Sequence, residues 1–166
     1  MSIFSELGVR EGKDRLKEEL LYNLASSYVL IEKEIGRALR TFGLSAVKLN
    51  VLLIVKHVGK DNGLSQVDIC RRMIVSAGNI TRLLDRIERE KLLERVTDAG
   101  DRRVNLIKIT KKGSDLLMKV WPVYKKKVNE IISLTEPDIA RMAVGLDQLR
   151  RNIAKGNHGR IKNESM

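Results

Sequence analysis

The chain has 166 residues, of which 32 are Lys or Arg and 21 are Asp or Glu, and its net charge of +11 points to an anionic partner. Its longest aliphatic run, Val51 to Val55, is far shorter than the roughly 20 residues of a bilayer-crossing helix, and Glu6, Arg10, Glu11, Lys13 and Asp14 interrupt any export signal. Cys70 is the only cysteine and His57 and His158 are the only histidines, so no disulfide framework, metal site or cofactor is expected, and the chain is expected to stay in the cytoplasm.

Leu16, Leu20, Leu24, Tyr28, Ile31, Ile35 and Leu39 recur in steps of three or four, the spacing of one face of a long helix, which Gly43 stops. Ser45 then caps a segment through Val47, Leu52, Val55 and Val58. Its aliphatic run alone would suit a strand, but its length and its capping residue favour helix. Asp61-Asn62-Gly63 is turn chemistry, and Ser65, three residues before Asp68, opens a short helix from Gln66 to Met73. Ser76 caps the next helix, with Ile80, Leu83, Leu84 and Ile87 on its apolar face.

Leu92 to Thr97 and Val104 to Ile109 are rich in branched residues and predict a hairpin whose tip, Asp98 to Arg103, is charged and contains Gly100 for a positive φ. Thr110 caps a helix that reaches Ser133 and is expected to kink at Pro122. Thr135-Glu136-Pro137-Asp138 opens a last helix, whose apolar face is Leu134, Ile139, Met142, Leu146, Leu149 and Ile153. The polar tail from Gly156 is expected to be disordered. The outer helices are apolar on more than one side and call for a second surface, most commonly a second copy.

Asn79, Arg82, Arg86 and Arg89 fall roughly opposite the apolar stripe of their helix. Such a face can enter a major groove, where Arg matches guanine and Asn matches adenine bidentately. The plainer reading is a solvated face, with Arg86 paired to Glu90 and Arg82 to Asp85. Placement after a short helix and a three-residue turn favours the first reading, and the helix N-terminus, Ser76 to Asn79, leaves room for close approach to DNA. Arg102 and Arg103 at the hairpin tip suit a narrow minor groove, one of them braced by Asp101 and the other reaching outward. Lys108, Lys111 and Lys112 suit phosphates. At 4 %, aromatic residues are too few for single-strand binding by base stacking.

With these elements in place the chain resembles the MarR-type winged-helix transcription factors. The likeness is most specific in Leu64-Ser65-Gln66, in Val75-Ser76 through Leu83-Leu84, and in Arg95 with Asp101-Arg102-Arg103 followed by Ile109-Thr110-Lys111-Lys112-Gly113. It implies a mainly α fold, one domain over 1–166. A winged helix-turn-helix lobe would occupy 44–112, with its recognition helix at about 76–90 and its wing at about 93–109. Dimerisation helices would occupy 10–42 and 113–155, and 156–166 would be a disordered basic tail. The resemblance also implies a homodimer on double-stranded DNA, usually a repressor, released by a small aromatic or phenolic effector.

Carried over by position, the DNA-reading residues are Ser76, Gly78, Asn79, Thr81 and Arg82, with Asp101, Arg102 and Arg103 in the wing; Ser65, Arg86 and Lys108 join them as candidates. Tyr28, His57, Trp121 and Tyr124 are candidate effector contacts, with core packing as the other reading. Cys70 is expected to be a buried packing residue, and redox sensing is not expected. The competing class is a non-specific binder of nucleic acid or anionic membrane, resting on net charge alone. An enzyme would need a nucleophile beside an oriented base, and the sequence offers none.

Overall fold

The stripe predicted for the first long helix is present in α2, Leu16–Arg40, but only its C-terminal end is covered by this chain. Leu39 is fully buried and Ile35 nearly so, whereas Leu16, Leu20, Tyr28 and Ile31 are exposed. This computed structural model describes residues 2–8, 15–73, 80–97 and 105–163. A short α1, Ile3–Glu6, packs Phe4 edge-on against Tyr22 of α2, with the Arg15 guanidinium over the Phe4 ring. Gly43 (φ 67°) ends α2 as expected: the Leu44 amide donates to the Leu39 carbonyl and the Gly43 amide to that of Arg40. These are the paired bonds of a Schellman stop.

Ser45 caps α3, Ala46–Ile54, its hydroxyl accepting from the Lys48 amide at 3.2 Å. Leu49, Val51, Leu52 and Ile54 are all buried, which explains the unbroken aliphatic run: a helix covered on most sides has no polar face to alternate with. The chain continues as a π-helical turn, Val55–Gly59, and turns through Gly63 (φ 78°) into β1, Leu64–Ser65. A Cβ on Gly63 would lie 3.0 Å from the Ile107 carbonyl oxygen, so glycine is needed both for its conformation and for its space.

Next come α4, Gln66–Arg72, α5, Ile80–Arg89, and the strands β2, Leu93–Thr97, and β3, Asn105–Ile109. The sheet is antiparallel in the order β1-β3-β2, with Leu64 opposite Ile107 and Leu93 opposite Ile109. The sequence did not announce β1, which is too short to show a period. Val51, Leu52, Val55, Ile69, Leu84, Ile87 and Ile107 are buried among these elements and fix α4 and α5 to the sheet.

Thr110 caps α6, Lys111–Ile131, accepting from the Gly113 amide at 3.0 Å, and Pro122 lies inside the helix. The chain divides into two compact units, Met1–Asn129 and Glu130–Met166. The second holds α7, Glu136–Asn163, opened by Thr135 as expected. The helix runs through Gly156 to Asn163, and 164–166 lie outside the described residues. Once a helix is nucleated, each further residue adds a backbone bond without a new nucleation cost.

Candidate nucleic-acid interface

Helix α5 turns Leu84 and Ile87 into the core, and Thr81, Arg82, Arg86 and Arg89 outward. Among the described residues neither Arg82 nor Arg86 has an ion-pair partner, because the nearby carboxylates are held elsewhere. Arg95 on β2 binds Asp85 at 2.7 Å and also Glu88, so two acids of α5 are drawn toward the sheet. Glu90 is held by Lys48 of α3, whose ammonium donates to the two carboxylate oxygens at 2.8 and 2.6 Å and to the Gly43 carbonyl at 3.1 Å. The pairs expected of a merely solvated face, Arg86 with Glu90 and Arg82 with Asp85, are absent for this reason. What remains outward on α5 is a cationic face with its counter-charges turned away.

Thr81 accepts a hydrogen bond from the Gln66 side-chain amide at 2.9 Å, joining the first turn of α4 to α5. Gln66 itself stands next to the cap of α4. The Ser65 hydroxyl accepts from the Asp68 amide at 3.1 Å and donates to the Asp68 carboxylate at 2.7 Å. That hydroxyl, with Arg72 beside it, holds the Asp68 carboxyl below its ordinary range. Ser65 is thus already engaged in the cap.

Lys108 is half-buried on β3, opposite Glu94. It shares a surface depression with Lys56, Lys60 and Lys111 and with the acids Asp61 and Glu94. Ser76, Gly78 and Asn79, with the expected start of α5, lie outside the described residues, as do Asp98, Asp101, Arg102 and Arg103 of the tip.

A second feature is a cleft of about 210 Å³ between α2, α3 and α6. Tyr28, Ile31, Glu32 and Ile35 come from α2, Ala46, Val47, Leu49, Asn50 and Leu53 from α3, and Met73 and Tyr124 complete it. Two of the four aromatic candidates therefore line it. Trp121 lies outside the lining but stacks on Tyr124 with ring centroids 5.6 Å apart. His57 sits exposed on the π-helical turn, also outside the lining. Glu32 and Asn50 went unnoticed in the sequence, since only the packing of α2 on α3 brings them to one cavity.

Cys70 is exposed, correcting the expectation that it is a buried packing residue. In α4 it is Ile69 that fills the core, and the next residue is turned about 100° away. No described helix is long and apolar enough to cross a membrane.

Helices α4 and α5 with the β2–β3 hairpin make a winged helix-turn-helix lobe, preceded and followed in the chain by long helices. Residues 42–104 match the MarR family model, and the chain belongs to the MarR family of transcriptional regulators. It is 29 % identical over 124 residues to the HTH-type transcriptional regulator MhqR of Bacillus subtilis, covering 75 % of this chain and 83 % of that protein. Its fold is shared with the organohalide-sensing regulator RdhR in its 2,4-dichlorophenol-bound form, with a TM-score of 0.74 and 18 % identity, covering 86 % of each chain. It is likewise shared with MepR of S. aureus in complex with DNA, with a TM-score of 0.71 and 22 % identity, covering 79 % of this chain and 96 % of that one. The chain is accordingly a regulator of transcription and not an enzyme.

Proposed function

We propose that two copies of this chain, acting in the cytoplasm, read a pseudo-palindromic operator in duplex DNA and repress the gene beyond it, and that a small aromatic effector in the cleft releases them. The observation that carries this reading is that Arg82 and Arg86 on α5 have no ion-pair partner among the described residues, the neighbouring acids being drawn off by Arg95 and Lys48. Unpaired guanidiniums on an exposed helix are available to guanine edges and phosphates without first breaking an ion pair.

In this reading α5 enters the major groove, with Thr81, Arg82 and Arg86 joined by Ser76, Gly78 and Asn79. Arg102 and Arg103, with Asp101 as brace, take the adjacent minor groove, and Lys108 takes a phosphate. Ser65 contributes by holding the first turn of α4. The exposed Leu16, Leu20 and Leu21 of α2, outside the cleft lining, support a homodimer, since they give the chain an apolar surface that a second copy covers. The DNA complex of MepR and the dichlorophenol complex of RdhR, both built on this fold, support the two ligand classes.

The test is a footprint on DNA upstream of the protein's own coding region, followed by titration of the protected duplex and a scrambled one across salt concentrations. Protection of two half-sites one helical turn apart, with steep salt dependence, is the expected result. Equal affinity for the scrambled duplex, or for anionic vesicles, would replace this reading with non-specific charge binding. Raised transcription from the bound promoter would overturn repression while leaving operator recognition standing.

A further inference from the structure

The cleft between α2, α3 and α6 has a polarity that says which effectors it takes. Among the described residues Glu32 is its only charged lining residue; the other polar groups are Asn50 and the hydroxyls of Tyr28 and Tyr124, and no described Lys, Arg or His belongs to the lining. Glu32 has no ion-pair partner among the described residues. The segment 74–79, which follows the lining residue Met73, contains no ionisable side chain.

From this lining we infer that the cleft selects small aromatic ligands carrying a positive charge, an aromatic amine or amidine, over aromatic acids of the same size. This rests on the cleft being the effector site. A carboxylate ligand would bring a second negative charge beside Glu32 and would find no cation to pair with, and burying a charge without a partner is costly. An ammonium group would form a charge-assisted hydrogen bond with Glu32, and the Tyr28 and Tyr124 rings in the same lining would attract the cation. Stacking of Trp121 on Tyr124 steadies that ring. The net charge of +11 does not reverse the preference, because distant surface charges are screened over about 8 Å at physiological salt while Glu32 is in the wall of the site.

Three probes with one ring system test it: 1-naphthylmethylamine, 1-naphthalenemethanol and 1-naphthoic acid, titrated by calorimetry into the full-length protein and then into its complex with the footprinted duplex. The amine is expected to bind most tightly and the acid least. Glu32→Gln is expected to weaken the amine by about tenfold, the order of a lost charge-assisted bond, and the alcohol far less. Glu32→Lys is expected to invert the order in favour of the acid. Helix content and thermal midpoint serve as fold controls, since Glu32 is exposed on α2.

Tightest binding of the acid by the unmodified protein, or an amine affinity unmoved by Glu32→Gln, overturns the charge preference and leaves the effector cleft intact. Absence of binding by all three probes to protein that still grips its operator overturns the cleft as an effector site, and this inference with it.

Discussion

The Gln66 side-chain amide donates to the Thr81 hydroxyl at 2.9 Å, so the first turn of α4 holds the helix that bears Arg82 and Arg86. An ordinary hydrogen bond contributes about 0.5–1.5 kcal/mol net, and an exposed one belongs at the low end. Gln66→Ala and Thr81→Val are each expected to cost about 0.5 kcal/mol in urea unfolding, and the double variant little more than either alone. Operator affinity should fall along the same cycle. Strict additivity in both measurements would mean that the two side chains act independently.

Arg82 is the residue whose loss should change what is read as well as how tightly. Arg82→Ala is expected to weaken operator binding by about 1–3 kcal/mol and to relax discrimination at one base pair. Arg86→Ala should weaken scrambled and specific duplexes more evenly if its partner is a phosphate, and lower the salt slope by about one. Binding to a panel of single-base operator variants separates the two. A preference profile for Arg82→Ala matching that of the parent protein would remove Arg82 from base reading.

Arg95 should matter to DNA binding without being a reading residue. Removing it in Arg95→Met releases Asp85 and Glu88; Asp85, three residues from Arg82 on the same helix, then competes with DNA for it, and Glu88 adds negative charge to α5. The expected loss of operator affinity is about 0.5–1 kcal/mol, the size of exposed ion pairs. Adding Asp85→Asn and Glu88→Gln to Arg95→Met should restore most of it. Failure of that restoration would show that Arg95 acts through DNA contact or through the fold instead.

The architecture was legible where one short-range signal sufficed. Ser45, Thr110 and Thr135 announced helix starts because capping acts over three residues, and Gly43 announced a stop because its φ suits few other residues. The charge pairing was not legible. Helical spacing on α5 pointed to Arg86 with Glu90, yet Glu90 is taken by Lys48, 42 residues away, which the Gly43 carbonyl also holds. Arg95 draws Asp85 and Glu88 in the same manner, from a strand whose alignment on α5 only the folded core sets. The cleft was half legible: Tyr28 and Tyr124 stood out as aromatic residues on long helices, while Glu32 and Asn50 looked like ordinary surface positions.

Acid should reach the helix-turn-helix lobe through Asp68. The Ser65 hydroxyl, followed by Arg72, lowers its carboxyl from the ordinary 3.8. A folded-state value below the unfolded one adds stability that is present above the unfolded value and is lost as pH falls through the folded one. An NMR titration of the Asp68 carboxyl is expected to show a midpoint below 3.8, and Ser65→Ala should move it upward. A midpoint that Ser65→Ala leaves in place would assign the depression to Arg72 instead.

Gly113 sits where α6 meets the end of β2, and a Cβ there would lie 2.2 Å from the Leu92 carbonyl oxygen and 2.9 Å from the Ile109 Cγ1. The carbonyl cannot retreat cheaply. It accepts from the Thr110 amide at 3.1 Å and the Thr110 hydroxyl at 3.2 Å, and the pairing of Leu93 with Ile109 fixes the strand beside it. Gly113→Ala is therefore expected to destabilise the chain by about 1–3 kcal/mol, as overpacking does, outweighing the gain of up to about 1 kcal/mol that alanine brings to a helix. Gly145→Ala in α7 is the matched control: nothing lies within 4 Å of its would-be Cβ, so only the helix gain remains and the variant should be slightly more stable. Urea unfolding of the two variants reads the difference, and a Gly113→Ala midpoint at or above the parent's would mean that α6 does not hold so close to β2 in solution.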